Sequence, residues 1–146
     1  MRIHIIHGPN LNQLGSREPE TYGTMTLAEI NKLIRQAGAE LGVETEFFQT
    51  NHEGEIIDLL HAGGCAGFII NPGAYAHYSI AIADALAGTP QPVLEVHLSN
   101  VFAREDFRHR HVTAGRCRGY IAGLGWRGYV LALQGLVELN REGKQC

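Results

Sequence analysis

Short β-branched runs alternate with amphipathic segments along the chain, and this alternation constrains the fold more than any other feature of the sequence. Strand-like runs stand at residues 3–7, 43–49, 67–70, 92–97 and 119–122. Segments with helical periodicity follow the first three strands and close the chain, at residues 27–41, 53–62, 79–86 and 126–140. Strands that alternate with helices in this way predict an α/β fold, in which a parallel sheet is covered by helices on both faces.

The size and composition of the chain fit a single folded unit. It has 146 residues, of which 45% are hydrophobic and 18% charged, as in globular proteins. We therefore expect one domain over residues 1–146. The flavodoxin-like strand order 2-1-3-4-5 is the economical arrangement for its five strands.

The first long helix carries the clearest boundary signals. Thr26 and Glu29 have the spacing of a capping box, and Gly42 suits the C-terminal cap. Its apolar residues form one stripe, at positions 27, 30, 34, 37 and 41. These signals predict that the helix packs one face against the sheet.

Charge and cysteine content exclude several classes of function. The net charge of −3 gives no general attraction to nucleic acid or to an anionic membrane, so we expect neither partner. No apolar run approaches the ~20 residues of a membrane span. Cys65, Cys117 and Cys146 are an odd number without CxxC spacing. They predict reduced thiols in a cytoplasmic protein rather than disulfides or a zinc site.

Polar residues gather where the predicted strands end. The carboxyl ends of parallel strands meet at one edge of a sheet, which is where ligands bind in such folds. The residues concerned are Asn10, Asn12, Asn51, His52, Glu53, Asn71, His77, Glu95, His97 and Ser99. Any single asparagine could simply form a turn, but together these residues predict a crevice that binds a ligand.

Two connections are long for this fold, at residues 8–25 and 98–118, and long loops in compact domains are usually functional. The first contains Arg17 and Tyr22. A tyrosine has an ordinary pKa near 10, and a nearby guanidinium favours its ionised form, which can act as a base. Judged from the loop alone, an arginine and a tyrosine are more often surface residues than catalytic ones.

Glu95 and His97 lie two residues apart in a predicted strand, so their side chains project from the same face. Val96 should point into the opposite layer. A carboxylate beside an imidazole fixes its tautomer and raises its basicity, as proton transfer requires. A structural ion pair is the alternative.

The second long loop is rich in arginine and histidine. One of its arginines could bind an anionic or polyhydroxylated substrate through its guanidinium. His109 and His111 could suggest metal ligands, but no carboxylate or cysteine completes a credible set, so we expect no metal. Lys32 and Lys144 are the only lysines, which argues against Schiff-base chemistry and favours an enolate.

Residues 123–128 read GLGWRG and match the glycine pattern of dinucleotide-binding loops. The chain ends before a further strand could complete the βαβ unit, so we interpret these glycines as close packing between helix and sheet. A non-catalytic flavin- or nucleotide-binding module on the same fold remains the alternative to an enzyme.

Five motifs in order resemble type II 3-dehydroquinate dehydratase, over residues 5 to about 133. They are GPNLNQLGSREPETYG, QTNHEGEIID, INPGAYAHYSIAIADAL, EVHLSNVFAREDFRHR and IAGLGWRGYVLAL. The resemblance implies a flavodoxin-like fold, a homododecamer built from trimers, and no cofactor. It implies dehydration of 3-dehydroquinate to 3-dehydroshikimate, which fits both the shikimate pathway of aromatic amino acid biosynthesis and quinate metabolism.

The same resemblance implies roles in proton transfer for five residues. Tyr22 would take a proton from C2 of the substrate, and Arg17 would keep Tyr22 ionised. Asn10 would help to hold a water against the enolate oxygen. His97, supported by Glu95, would protonate the departing C1 hydroxyl.

The resemblance also implies a set of substrate-binding groups. The substrate carboxylate would be held by Asn71, the backbone of Leu98, and Ser99. Contacts to the ring hydroxyls would come from His77 and Arg108, and Asp84 would enter from a neighbouring subunit.

Some positions depart from the common family pattern. His7 stands where asparagine is frequent, and Phe102 stands where histidine is common. Residues 111–118 are more basic and less apolar than is typical. None of these departures removes an expected catalytic group.

Overall fold

The computed structural model describes residues 1–143, so Lys144 and Cys146 lie outside the described residues. Its sheet has five parallel strands in the order β2-β1-β3-β4-β5, which confirms the predicted fold class. The strands are β1 Arg2–His7, β2 Glu44–Gln49, β3 Gly67–Asn71, β4 Val93–His97 and β5 Gly119–Ala122.

Helices cover both faces of the sheet. They are α1 Pro19–Tyr22, α2 Leu27–Leu41, α3 Glu53–Ala62, α4 Ile80–Gly88 and α5 Arg127–Glu142. Ile3 and Ile5 of β1 pack with α2 and α5, whereas Ile6 packs with α3 and α4. Successive residues of a strand face opposite layers, and this alternation builds two separate apolar cores.

The capping signals of α2 are confirmed. The Thr26 hydroxyl accepts a hydrogen bond from the Glu29 backbone N–H at 3.2 Å, and the Glu29 carboxylate accepts one from the Thr26 N–H at 2.7 Å. Gly42 ends the helix with φ of 71°, a left-handed conformation that costs glycine little. Local sequence therefore sets both ends of this helix.

The two long connections contain more structure than the sequence indicates. The first holds a single turn at Leu11–Gln13 and the short helix α1, which begins with Pro19. The second contains three further short turns, at Val101–Ala103, Asp106–Arg108 and Ala114–Arg116. Segments this short have no apolar period, so pattern analysis does not detect them.

The glycines of residues 123–128 have two different functions. A Cβ at Gly128 would come within 3.2 Å of Val96 Cγ1, so this residue allows the predicted close packing of α5 on the sheet. Gly123 and Gly125 instead have positive φ values, of 89° and 56°. They provide the turn between β5 and α5.

Two observations bear on the expected environment of the protein. Cys65 and Cys117 are free thiols. Among residues 1–143 there is no helix with the length and apolar character needed to cross a membrane.

His7 lies at the end of β1 and is fully buried. Its Nε2 lies 2.8 Å from Asn31 Oδ1, and its Nδ1 lies 3.0 Å from the Tyr129 hydroxyl. The amide oxygen can only accept, so Nε2 carries the proton and Nδ1 accepts from the phenol. Burial lowers the pKa of His7 to about 4, opposed by the hydrogen bond to Asn31. The neutral ring is therefore part of the folded structure.

We predict that His7 makes the protein sensitive to mild acid. Between pH 6.5 and about 4 the unfolded chain binds a proton at His7 that the folded chain does not, so stability falls as the pH falls. Relative to His7→Asn, the wild type should lose about 2 kcal/mol of unfolding free energy between pH 7 and pH 5. Urea denaturation at each pH measures this difference.

The exposed His61 provides the control for that experiment, since His61→Asn should leave the pH dependence of stability unchanged. Parallel pH curves for the wild type and His7→Asn would show that His7 is not the responsible group.

Candidate active site

A pocket opens at the carboxyl ends of β1, β3 and β4, where the sequence predicts a crevice. Most of the predicted site residues line it: Asn10, Arg17, Tyr22, Asn71, His77, His97, Leu98, Ser99 and Arg108. Glu95 lies behind His97 rather than on the pocket wall. Asp84 is exposed on α4 and does not line this pocket.

One wall of the pocket carries a phenol in contact with a guanidinium. Tyr22 is the last residue of α1, and its hydroxyl accepts a hydrogen bond from Arg104 Nη1 at 2.8 Å. The guanidinium carbon of Arg104 also lies 5.2 Å from the centre of the Tyr22 ring. The cation can therefore stabilise negative charge on the phenol oxygen directly.

The family resemblance implied that Arg17 would contact Tyr22, but in the structure Arg104 makes this contact. Arg17 lines the same pocket and is exposed, and no hydrogen bond within residues 1–143 joins it to Tyr22. Arg104 was only one of five arginines in the second long loop. Nothing in the local sequence distinguished it, because the contact spans 82 positions of the chain.

The part of the pocket formed by β4 carries His97, with the predicted partner Glu95 behind it. His97 Nε2 lies 2.7 Å from Glu95 Oε1, and Glu95 has no exposed surface. Val96 packs in the core on the other face of the sheet, so the predicted alternation is confirmed. Burial tends to raise the pKa of Glu95, but the adjacent imidazoles of His111 and His97 outweigh it and bring the pKa to about 2. The carboxylate is therefore ionised.

A second imidazole approaches the same carboxylate. His111 Nδ1 lies 3.5 Å from Glu95 Oε1, and the His111 ring centre lies 5.4 Å from that of His97. The prediction that no carboxylate completes a credible set with the loop histidines is wrong, because the fold returns the loop to β4 and brings His111 to Glu95.

Cys117 lies on the far side of Glu95, with its Sγ 3.9 Å from Oε2. Burial and the adjacent carboxylate raise the pKa of this thiol. Cys117 therefore stays protonated and is a poor nucleophile.

Polar groups that could bind a ligand are held in fixed orientations. Asn71 is buried, its Oδ1 accepts from the Gly73 backbone N–H at 3.1 Å, and its side chain also interacts with the Tyr129 hydroxyl. His77 Nδ1 donates to the Arg110 carbonyl at 2.9 Å. Burial lowers the pKa of His77, which favours a neutral ring whose Nε2 can accept.

Two further residues are positioned by local contacts. Asn10 adopts a left-handed conformation with φ of 68°, and its backbone N–H donates to Asn51 Oδ1 at 3.0 Å. Arg108 Nε binds Glu105 Oε2 at 2.7 Å. Asn51 thus supports the pocket from outside. The strand-end pattern had suggested instead that it would line the pocket.

The geometry brings a cation-bound phenol and a carboxylate-bound imidazole to one pocket. Such a pair can remove a proton at one position of a small molecule and deliver a proton at another. The model of the Dehydroquinase class II family matches residues 1–137. The chain belongs to the class II dehydroquinase family. The resemblance found in the sequence is therefore confirmed.

Individual members of the family are similar over nearly the whole chain. A 3-dehydroquinate dehydratase from Halothermothrix orenii is 54% identical over 144 residues, which cover 97% of each chain. One from Chelativorans sp. is 56% identical over 137 residues, covering 92% of this chain and 94% of the relative. The crystal structure of type II dehydroquinase from Butyrivibrio crossotus superposes with a TM-score of 0.91 at 46% identity, covering 93% and 97%.

Proposed function

We propose that this class II dehydroquinase dehydrates 3-dehydroquinate to 3-dehydroshikimate by anti elimination through an enolate. The proposal rests on one pocket that holds two residue pairs. Tyr22 is bound by Arg104, and His97 is bound by Glu95. The names of the relatives support the substrate. Residues 1–146 act as one catalytic domain, and the reaction requires neither cofactor nor metal.

In the first half of the reaction, the tyrosinate of Tyr22 takes a proton from C2 of the substrate. The developing negative charge then passes to the carbonyl oxygen. Arg104 stabilises the tyrosinate through its 2.8 Å hydrogen bond, and Arg17 adds positive charge to the same pocket. Asn10 helps to hold a water that stabilises the enolate oxygen.

In the second half, the enolate collapses and expels the C1 hydroxyl. His97 gives this oxygen a proton, so that it leaves as water, and a double bond forms between C1 and C2. Glu95 stabilises the protonated form of His97. Anti elimination requires that base and acid address opposite faces of the substrate ring, and in the proposed reaction they come from different elements, α1 and β4.

Substrate recognition uses the remaining pocket groups. The substrate carboxylate is held by the Asn71 amide, the backbone of Leu98 and the Ser99 hydroxyl. His77 and Arg108 contact the ring hydroxyls. These neutral donors and a single guanidinium match a small, polyhydroxylated carboxylate.

The alternative is a flavin- or nucleotide-binding module that uses residues 123–128. Gly128 packs closely against Val96 and Ile121. This packing explains why a glycine is needed at position 128, and no bound ligand has to be invoked. A thermal shift with FMN or NAD, without one from 3-dehydroquinate, would favour that alternative.

We predict that Tyr22→Phe loses kcat by about 10²–10⁴-fold while its substrate affinity changes little, because only proton abstraction is lost. The ultraviolet absorbance of the conjugated enone product measures turnover. Retention of wild-type substrate affinity and circular dichroism by Tyr22→Phe is the control for an intact pocket. Wild-type turnover by Tyr22→Phe would refute the proposed base.

We predict that Arg104→Gln lowers kcat by about 10²-fold, because the donor that holds the phenol oxygen is removed. Arg17→Gln should also lower kcat, through the loss of pocket charge. Arg118→Gln, a change at an exposed position, should leave kcat unaltered. An unchanged rate in Arg104→Gln would show that its contact with Tyr22 plays no part in turnover.

We further propose that the protein is a cytoplasmic homododecamer built from trimers, in which Asp84 enters the site of a neighbouring subunit. Asp84 is exposed and lies outside its own pocket. The adjacent Tyr78 and Ile80 are 63% and 66% exposed, although both are large and apolar. Exposed apolar side chains next to a carboxylate suit a subunit interface.

The assembly can be separated from the role of Asp84 by two variants. Ile80→Glu should reduce the mass measured by light scattering, because a buried charge weakens the interface. Asp84→Asn should keep the assembly but lower kcat, whereas the exposed Asp58→Asn should change neither. A monomeric wild type with full activity would refute the proposal.

A further inference from the structure

Glu95, His97 and His111 form a cluster whose ligand atoms all lie within 4.8 Å of one another. We propose that this cluster binds a divalent transition metal such as Zn²⁺, and that the bound ion inhibits the enzyme. The two residues of β4 and the one loop residue are 14 or more positions apart in sequence. Only the fold brings them together.

The first argument is that the imidazole of His111 is buried and lacks hydrogen-bond partners in the described part of the chain. Its side chain is only 9% exposed, and neither of its ring nitrogens has a hydrogen-bond partner within residues 1–143. A buried polar group without a partner is unfavourable, and a metal ion can satisfy it. The rings of His77 and Tyr120 enclose His111, with centres 4.9 and 5.3 Å away, and hold it facing the cluster.

The donor set and its spacing provide the second argument. Two imidazoles and a carboxylate form a known three-ligand zinc set, in which water takes the fourth position. Bond lengths of about 2.1 Å place tetrahedral ligand atoms about 3.4 Å apart. His111 Nδ1 and Glu95 Oε1 are already 3.5 Å apart, whereas Glu95 and His97 must separate from 2.7 Å by about 0.7 Å.

The type of ion follows from the ligands. Imidazole nitrogens favour zinc, copper, nickel and cobalt over magnesium and calcium, which prefer oxygen ligands. The carboxylate of Glu95 supplies the negative charge that offsets the ion in this buried position. The metal displaces the proton that Glu95 and His97 share.

Inhibition follows because a metal on Nε2 takes the place of the second proton of the imidazolium, and the remaining Nδ1–H of a metal-bound imidazole is a much weaker acid toward a leaving group. This part of the inference rests on the proposed function, whereas the binding of the metal does not. The two are therefore tested by separate measurements on the full-length protein.

Binding is tested with Co²⁺, which absorbs visible light when its coordination is tetrahedral. Protein stripped with a chelator should take up one Co²⁺ per chain, develop these absorption bands, and lose them when Zn²⁺ is added. His111→Ala should bind Co²⁺ at least tenfold more weakly. His109→Ala, a change at an exposed histidine two positions away, should bind like the wild type.

His111→Ser serves as a second variant if His111→Ala does not fold, as judged by circular dichroism. Absence of the cobalt bands in the wild type would overturn the site, and so would equal binding by the folded His111 variants. Binding that His109→Ala abolishes would assign the ion to the exposed loop instead.

Inhibition is tested by the dehydration rate, with each variant compared with its own metal-free rate. Zn²⁺ should inhibit the wild type, EDTA should restore the rate, and His111→Ala should resist Zn²⁺. Cobalt binding without any effect of zinc on turnover would overturn the inhibition while leaving the site. A protein that binds Co²⁺ but never dehydrates 3-dehydroquinate would refute the proposed function alone.

Discussion

The site depends on one buried negative charge, the carboxylate of Glu95. A carboxylate without exposed surface is unfavourable unless several partners compensate it, and here His97 lies 2.7 Å and His111 3.5 Å from the same oxygen. The pairing determines where the His97 ring lies, because a free rotation would leave the charge uncompensated. The buried charge of Glu95 thus fixes the position of the His97 imidazole on the pocket wall, although Glu95 itself does not line the pocket.

The parallel sheet explains why this arrangement occurs at the end of β4. Glu95 and His97 share a face of the strand, while Val96 enters the core on the other face, and β3 and β5 flank the strand on either side. Neighbouring strands end at the same edge, which brings Asn71 from β3 to the same pocket. The wall that carries Tyr22 has no such support from the sheet, and its position depends on the contact with Arg104.

This difference sets the limit of prediction from sequence. Periodicity and capping signals located the strands and main helices within two residues of their bounds, and the period of a strand placed Glu95 beside His97. Neither signal exists in the two long loops, so the short helix α1 and the contact between Tyr22 and Arg104 were missed. The proximity of His111 to Glu95 was missed for the same reason, since only the tertiary path of the loop creates it.

Two titratable groups, His7 and Glu95, are equally buried, and their different partners decide which of them carries charge. His7 has only the neutral partners Asn31 and Tyr129, so burial prevails and lowers its pKa to about 4. Glu95 is equally buried, yet its pKa falls to about 2 because imidazoles surround it. Charge is thus excluded at the end of β1 and maintained at the end of β4. The difference leaves the proposed acid, His97, beside a permanent negative charge at the end of β4, whereas the end of β1 is a neutral, fixed scaffold.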